Sequence, residues 1–357
     1  KKQIGTMRVL HCPTDTGGNS WGLSRAERKL GIASDVMVFR SSVYGYPADM
    51  DLKFKKVITP GRESRRWRFL VDAMKKYNVF HFNFAKSLID YPYLMLHHME
   101  LPLLKKNKKK IFFTIQGCDT RLKTYCLSHF SVSGCKDCKG LSCLPSLVKR
   151  QRIKKMSAYA DKIYALNPDL IYNCPGAEFL PYASVDMDEW TPSIHRTGSK
   201  RTFTILHAPT NRDIKGTRYL LGAVNRLQKE GYPVRLLLVE KTNRQMLREM
   251  YRKKSIDVVV DQLLIGWYGG FSVEAMACGV PVIAYIRTQD LQFIPRNMRE
   301  ELPVINADPS TIYDTIKELV ENRRIAPALS EKCRAYVERW HDPLKIAKKV
   351  IADYEGK

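Results

Sequence analysis

The chain has 357 residues, 44% of them apolar, and carries a net charge of +24. That length suits two domains with sizeable cores rather than one. No apolar run approaches the roughly 18 residues that a membrane helix needs, and nine cysteines, an odd number, argue for a reducing cytoplasm over a disulfide framework.

The opening residues, K-K-Q-I-G-T-M-R-V-L-H, have no long apolar h-region, so no secretory signal is expected, and Met7 is a candidate natural start. Residues 7–12 read as a first strand, which runs into the loop P-T-D-T-G-G-N-S-W-G and then a helix over 23–30. Further strands are predicted at 35–39, 79–84, 110–115 and 162–166, with helices between them such as 65–77 and 148–159. The pattern restarts beyond 192 with strands at 202–207, 234–239, 258–264, 281–286 and 303–305 and helices at 219–230, 245–253, 310–322 and 328–338. Short apolar strands alternating with helices predict α/β domains with doubly wound parallel sheets. Two Rossmann-like domains follow, residues 1–190 and 191–342, with a polar linker at 191–201, a ligand cleft between them, and a last helix in 343–357 that crosses back to the first domain.

Lysine and arginine concentrate in the first half, at 53–56, 62–68, 105–110 and 149–155. Taken singly these runs are solvated helix faces; together they give a basic first domain. Trp67, Phe69 and Leu70 beside Arg65, Arg66 and Arg68 give one segment the character of an interfacial helix. No RNA-binding aromatic signature, histidine-bearing zinc finger or recognition helix accompanies the charge, which argues against nucleic acid and for an anionic membrane surface or anionic substrate.

Residues 258–286 read strand, glycine-rich loop, helix, turn, strand. A glycine-rich loop opening a helix turns unpaired N–H groups and a positive helix end toward a phosphate. Glu274, at the start of a helix over 273–278, offers a carboxylate to ribose hydroxyls.

The segments V-D-M-D-E-W-T-P at 185–192, I-K-G-T at 214–217 and G-W-Y-G-G-F-S-V-E-A-M-A-C-G-V-P-V at 266–282 resemble retaining glycosyltransferases of the GT-B fold, in the large family called group 1 or family 4. In the first domain H-F-N-F-A-K-S-L at 81–88 and T-I-Q-G-C-D-T-R at 114–121 look like the corresponding strand ends, and the resemblance spans nearly the whole chain. It implies transfer of a sugar from a nucleoside diphosphate sugar to a hydroxyl of a glycan, a lipid-linked acceptor or an anionic cell-surface polymer precursor, the alternatives being a GT-B sugar-nucleotide epimerase or a non-catalytic nucleotide-sugar or nucleic-acid binding protein. It implies no cofactor for catalysis, and a cytoplasmic protein peripheral at the inner face of the membrane.

Residue by residue, the resemblance assigns Lys215 to the diphosphate, Gly216 to close backbone approach, Arg212 to the paired arginine and Glu274 to the ribose. The family's first glutamate, eight positions before Glu274, is here Gly266; the backbone amides of Tyr268, Gly269 and Gly270 remain to hold the sugar or β-phosphate. The family's histidine pair reads His81 and Asn83, and a further histidine is Gln116. Asn83 and Gln116 would hold sugar hydroxyls, with His81 kept as a catalytic candidate against a satisfied strand-end histidine. Asp119 would orient the acceptor hydroxyl and Arg121 would meet an anionic acceptor, the alternative being a local Asp–Arg pair. Gly17 and Gly18 would let the donor phosphate approach, and Asn19 would face the acceptor, with a helix N-cap at Asn19 or Ser20 compatible with both.

One stretch is not general to the family: C-L-S-H-F-S-V-S-G-C-K-D-C-K-G-L-S-C at 126–143. Cys126, Cys135, Cys138 and Cys143, with His129 as alternate, are candidate ligands of a structural Zn2+; surface thiols or a disulfide are the alternatives. Cys12, Cys118, Cys174, Cys278 and Cys333 read as small buried residues.

Overall fold

The computed structural model describes residues 7–54, 59–91, 94–139, 143–192, 202–253 and 256–357. Beyond Pro192 the expected linker lies outside them. The chain forms two units: Lys1–Lys123, Cys143–Ser184 and Pro343–Lys357 make the first, Thr124–Ser142 and Val185–Asp342 the second.

In chain order the first part comprises β1 (Arg8–Cys12), α1 (Asn19–Lys29), β2 (Ala33–Val38), β3 (Met50–Asp51), α2 (Pro60–Lys76), β4 (Val79–Asn83), α3 (Glu100–Lys106), β5 (Lys110–Ile115), α4 (Lys123–His129), α5 (Gly134–Asp137), α6 (Ser146–Tyr159), β6 (Lys162–Ala165) and β7 (Ala177–Phe179). Among the described residues the strands of the first unit form one sheet in the order β3-β2-β1-β4-β5-β6-β7, every neighbouring pair parallel. All five residues of β4 are buried, as helices on both faces of a parallel sheet require. Strand order turns back on itself between β1 and β4, so the loops after those strands are where a ligand crevice forms.

The helix after β1 starts earlier than the apolar pattern predicts. Asp15 Oδ1 accepts the Ser20 amide at 3.0 Å, and Gly18 takes a left-handed φ of 70° as N-cap, so α1 begins on polar residues. The short β3 and β7 are too brief to announce themselves by periodicity.

The second unit continues with β8 (Phe203–His207), α7 (Arg212–Lys215), α8 (Thr217–Lys229), β9 (Val234–Leu238), α9 (Arg244–Lys253), β10 (Val258–Val260), α10 (Gly270–Ala277), β11 (Val282–Ala284), α11 (Arg296–Glu300), β12 (Ile305–Asn306), α12 (Ile312–Glu321) and α13 (Ala326–Trp340). Its strands run parallel in the order β12-β11-β10-β8-β9. Ile205, Val260 and Ile283 from the sheet meet Leu220, Leu227 and Ile316 from α8 and α12 in one core. β10 stops at Val260, well short of the predicted 264, because Asp261 and Gln262 turn their side chains to polar partners.

The last helix, α14 (Pro343–Glu355), belongs to the first unit and packs on α1. Its anchor is Tyr354, fully buried, whose hydroxyl donates to Glu27 Oε1 at 3.1 Å and lies 2.5 Å from His81 Nδ1. Glu27 also receives Ser34 Oγ at 2.6 Å and contacts His11 Nε2 at 2.9 Å. Asp353 accepts the Tyr164 hydroxyl at 2.6 Å and Lys162 Nζ at 2.8 Å. Buried polar groups linked this way hold register as well as energy, since each leaves a partner unsatisfied if removed. Tyr354→Ala removes a buried ring and strands Glu27 and His81, so urea unfolding should show a loss of about 3–5 kcal/mol. A loss under about 1 kcal/mol, the size of an exposed substitution, would mean that α14 is not part of the first unit's core.

Candidate functional site

In the second unit the polar groups converge on Asp261, which follows β10 and is buried. Its Oδ1 accepts Lys215 Nζ at 2.5 Å; its Oδ2 accepts the Gly269 amide and Ser272 Oγ, both at 2.7 Å. Burial drives the Asp261 carboxyl upward, but the Lys215 charge and these hydrogen bonds outweigh it and hold the group below its ordinary value. Lys215 Nζ also donates to Gln262 Oε1 at 2.9 Å, while Gln262 Nε2 donates to the Trp267 carbonyl. One carboxylate thus ties the end of α7 to the glycine loop and to the first turn of α10. A Cβ on Gly269 would stand 3.1 Å from Asp261 Oδ2 and 3.5 Å from Lys215 Nζ, which is why the loop carries glycine there.

Glu274 lies in the second turn of α10, which begins at Gly270 rather than at 273. Its Oε1 accepts Arg244 Nε at 3.0 Å, and Arg244 stands 5.0 Å from the ring centroid of Trp190. Burial pushes the Glu274 carboxyl up to about 6 against the pull of Arg244, and the Asp261 charge adds to the rise. His207, at the end of β8, is lowered to about 4 by burial. Its Nδ1–H donates to the Val260 carbonyl at 2.7 Å and its Nε2 accepts the Thr217 hydroxyl at 2.8 Å, so it is a neutral brace under Gly216 rather than an acid.

The other predicted donor residues divide. Gly216 has φ 76°, and a Cβ there would meet Leu263 at 3.1 Å, so backbone conformation and packing both call for glycine. Arg212 is exposed and bound bidentate to Glu240 at 2.9 and 2.5 Å, away from Lys215's partners. Tyr268 is buried, with its hydroxyl 3.0 Å from Tyr336 and 2.8 Å from His341 Nε2, so only its backbone can face a ligand. The Gly269 amide is committed to Asp261, which leaves Gly270 at the helix start.

Gly266 has a structural reason of its own. Its φ is 90°, and a Cβ there would fall 2.5 Å from an Arg287 guanidinium nitrogen. Arg287 donates to Asp290 at 2.7 Å and to the Val132 carbonyl at 3.0 Å, and its guanidinium carbon lies 3.7 Å from the Phe130 ring centroid. The cysteine-rich segment is therefore docked on the second unit beside the glycine loop. Gly134 donates to the Leu264 carbonyl at 2.9 Å, and a Cβ on it would reach Ile265 at 2.9 Å.

In the first unit several expected catalytic groups are taken up by the protein itself. His81 is fully buried between Tyr354 and Thr114 (Nε2 to Oγ1, 2.7 Å), and burial, then its neighbour His11, hold it well below the usual histidine range. It is a core histidine and not a proton donor at neutral pH. Asn83 Nδ2 donates to the His81 carbonyl at 3.2 Å. Asp119 accepts the Gln116 and Gly117 amides at 3.0 and 2.6 Å and so closes the turn after β5; burial raises it against those bonds. Arg121 is buried in a bidentate pair with Asp169 at 2.5 and 2.9 Å rather than presented to an anion. Asn19, expected at the acceptor, is buried with its Oδ1 accepting the Ala183 amide at 2.8 Å. Gly17 and Gly18 both take left-handed φ, 69° and 70°, in the loop before it. The side-chain nitrogens Asn19 Nδ2 and Gln116 Nε2 find no partner among the described residues, and buried donors in that state suit a bound oxygen.

Among the described residues no three His, Cys, Asp or Glu side chains gather to hold an ion. Cys126 turns into the core from α4, and Cys143 Sγ meets Lys149 Nζ at 3.3 Å. Cys118, expected to be buried, is exposed.

No protein-family model and no curated protein matches the sequence. Solved structures do match. HepE of Anabaena in complex with UDP-glucose is 12% identical, with a TM-score of 0.64 over 98% of this chain and 100% of that one. Sucrose-phosphate synthase from Thermosynechococcus elongatus is 14% identical, with a TM-score of 0.63 over 98% of both chains. A UDP-N-acetylglucosamine 2-epimerase, described as putative, from Listeria monocytogenes is 12% identical, with a TM-score of 0.55 over 99% of this chain and 98% of that one. The chain has the GT-B fold. Glycosyltransferases and an epimerase both stand among its structural neighbours. Within this GT-B chain sequence reasoning missed Asp261, Gln262, Arg244 and Arg287. A visible signal existed for the first two, since D-Q interrupts an otherwise apolar V-V-V-D-Q-L-L-I run.

Gly266→Ala should cost about 1–3 kcal/mol in urea unfolding, through both the positive φ and the clash with Arg287. In an Arg287→Ala background the clash disappears and only the backbone part should remain, so the cycle should show coupling of about 0.5 kcal/mol or more. Strict additivity would mean that Arg287 does not fill the space over Gly266.

Proposed function

We propose that the protein is a retaining glycosyltransferase of the group 1 type, moving a hexosyl group from a UDP-sugar to a hydroxyl of a glycan, a glycolipid or an anionic cell-surface polymer precursor. The observation that carries this is Lys215. An ammonium has three donors, and Asp261 and Gln262 use two of them. The third is available to a phosphate oxygen beside the start of α10, where the helix dipole already favours an anion. Glu274, on the same helix and near enough to feel the Asp261 charge, is the carboxylate to accept ribose hydroxyls. The choice of UDP follows the neighbours crystallised with UDP or UDP-glucose.

In this reading the bond from the sugar C1 to the β-phosphate breaks while the acceptor oxygen bonds to C1 on the same face, and the acceptor's proton passes to the departing phosphate. No protein nucleophile is needed, which fits a first unit whose histidine and carboxylate are engaged internally. The Lys215 ammonium and the α10 N-terminus would carry the developing phosphate charge. The Asn19 and Gln116 amides would hold hydroxyls. No metal or cofactor is assigned a role.

A second reading is a UDP-sugar 2-epimerase, prompted by the Listeria neighbour that matches along its whole length. The two separate on product. A transferase releases UDP only when an acceptor is present and yields a glycoside with the donor's anomeric configuration by NMR. An epimerase alters the sugar with no acceptor at all.

Lys215→Ala and Glu274→Ala should each lower kcat/KM by about 100-fold or more, the usual effect of losing one charge-stabilising group; wild-type turnover in both would remove the site. The raised Glu274 pKa gives a pH signature. Above about 6 the group is a carboxylate paired with Arg244; below it, the group is protonated. UDP-glucose affinity measured by calorimetry should therefore fall from about pH 7 to about pH 5, and Glu274→Gln should flatten that profile. Fold stability responds in the opposite sense. A carboxyl raised from its ordinary 4.5 to about 6 contributes stability present below 4.5 and lost as pH rises through about 6, so the two effects are separable.

A further inference from the structure

α2 and the turn that follows β4 carry an apolar surface that the donor site does not use. Trp67 and Val71, one helical turn apart on α2, are 36% and 43% exposed; Leu94, Met95 and Leu96 are 68%, 45% and 41% exposed. These two groups belong together. Trp67 Nε1 donates to the Tyr91 hydroxyl at 2.9 Å, and Tyr91 pairs with Leu96 across the turn, its amide donating to the Leu96 carbonyl at 2.8 Å. Met95 sits at the tip with φ 54°, a conformation that costs a non-glycine residue energy and here points an apolar side chain outward. Leu70, which the sequence places on the same face as Trp67, is instead in the core, so Trp67 and Val71 are the exposed apolar pair.

Cations flank this patch on α2. Arg65 and Arg68 are exposed on α2 beside Trp67. α6 is tied to the same segment through Arg152 to Asp90 and His97, and through Lys155 Nζ to Met99 Sδ at 3.8 Å. The acidic groups nearby are neutralised: Glu63 pairs with Arg66, Asp72 with Lys75, and Asp90 with Arg152 and His97. A run of three exposed apolar residues at a turn tip, an exposed tryptophan with its N–H engaged, and exposed arginines on either side of that tryptophan match the chemistry of a bilayer interface with anionic headgroups.

We propose that the first unit docks on an anionic lipid bilayer through Trp67, Val71 and the Leu94–Leu96 tip, with Arg65 and Arg68 meeting the headgroups. The tip and the indole enter the boundary between headgroup and acyl chain, and the cations supply the salt-sensitive part of the attraction. The proposal stands independently of the donor-site reading.

Co-sedimentation of the whole protein with phosphatidylcholine vesicles, with and without phosphatidylglycerol, tests it. Binding should require phosphatidylglycerol and weaken with salt. The triple variant L94Q/M95N/L96Q, with asparagine chosen for its tolerance of positive φ, should lower the partition coefficient about tenfold or more. The pair R65Q/R68Q should lower it about fivefold per arginine. Both variants should keep the wild-type melting temperature, since every changed side chain is at the surface. The proposal falls if the tip variant binds anionic vesicles as well as wild type, which would leave charge alone. It falls if neutral vesicles bind equally. It also falls if light scattering shows a dimer that the tip variant dissociates, since the patch would then be covered by a second copy of the chain.

Discussion

The carboxylate of Asp261 is the interaction on which the second unit's candidate site depends. It is buried, yet held ionised by one ammonium, one hydroxyl and one backbone amide. Each of those donors comes from a different piece: Lys215 from the end of α7, Ser272 from the first turn of α10, Gly269 from the loop between β10 and α10. A buried charge without such partners costs several kcal/mol, so the arrangement is close to all-or-none. The loop cannot move far without stranding Asp261, and Lys215 cannot leave without unbalancing it. The glycine loop and Lys215 are therefore fixed to one another by contacts within the protein.

That arrangement also sets the electrostatics of Glu274. The same Asp261 charge that fixes Lys215 adds to the desolvation of Glu274, and Arg244 offsets both only in part. Two carboxylates near one helix thus have different states. One is held down by a lysine and three hydrogen bonds; the other is pushed toward neutrality by its apolar setting. Divergent environments of this kind separate a structural charge from a group free to respond to ligand and pH.

The fold was legible because it rests on patterns with long runs. β5 matched the predicted bounds, and β4 and the helices α8 and α14 fell within a residue or two, since buried parallel strands and amphipathic helices repeat their signal. Lys215, Gly216 and Glu274, the residues proposed for the donor, were singled out because they stand in the two segments, 214–217 and 266–282, that carry the resemblance. The first unit's chemistry was not. His81, Asn83, Asp119 and Arg121 stand at strand ends where ligands gather, and a sequence shows that position but not its partners. Tyr354 arrives from the far end of the chain to claim His81, and Asp169 claims Arg121; both pairings span separations no local pattern encodes. The cysteine-rich segment is a related case. Cysteine spacing says which thiols lie close in sequence, while packing decides that Cys126 faces inward and Cys143 meets Lys149.

Two departures from the resembled family, the glycine at 266 and the cysteine-rich segment, look unrelated in the sequence. The structure joins them through Arg287. Its guanidinium lies where a side chain on residue 266 would begin, and from there it stacks on Phe130 and donates to the Val132 carbonyl, both inside the segment. Asp290 balances its charge. A glutamate at 266 would need a φ that glycine alone takes without strain and would have to displace a buried arginine held by three partners. Docking the segment and keeping that carboxylate are thus mutually exclusive in this packing. Glycine at 266 follows from how the segment is fastened: the Arg287 that holds Phe130 and Val132 leaves no room there for a side chain.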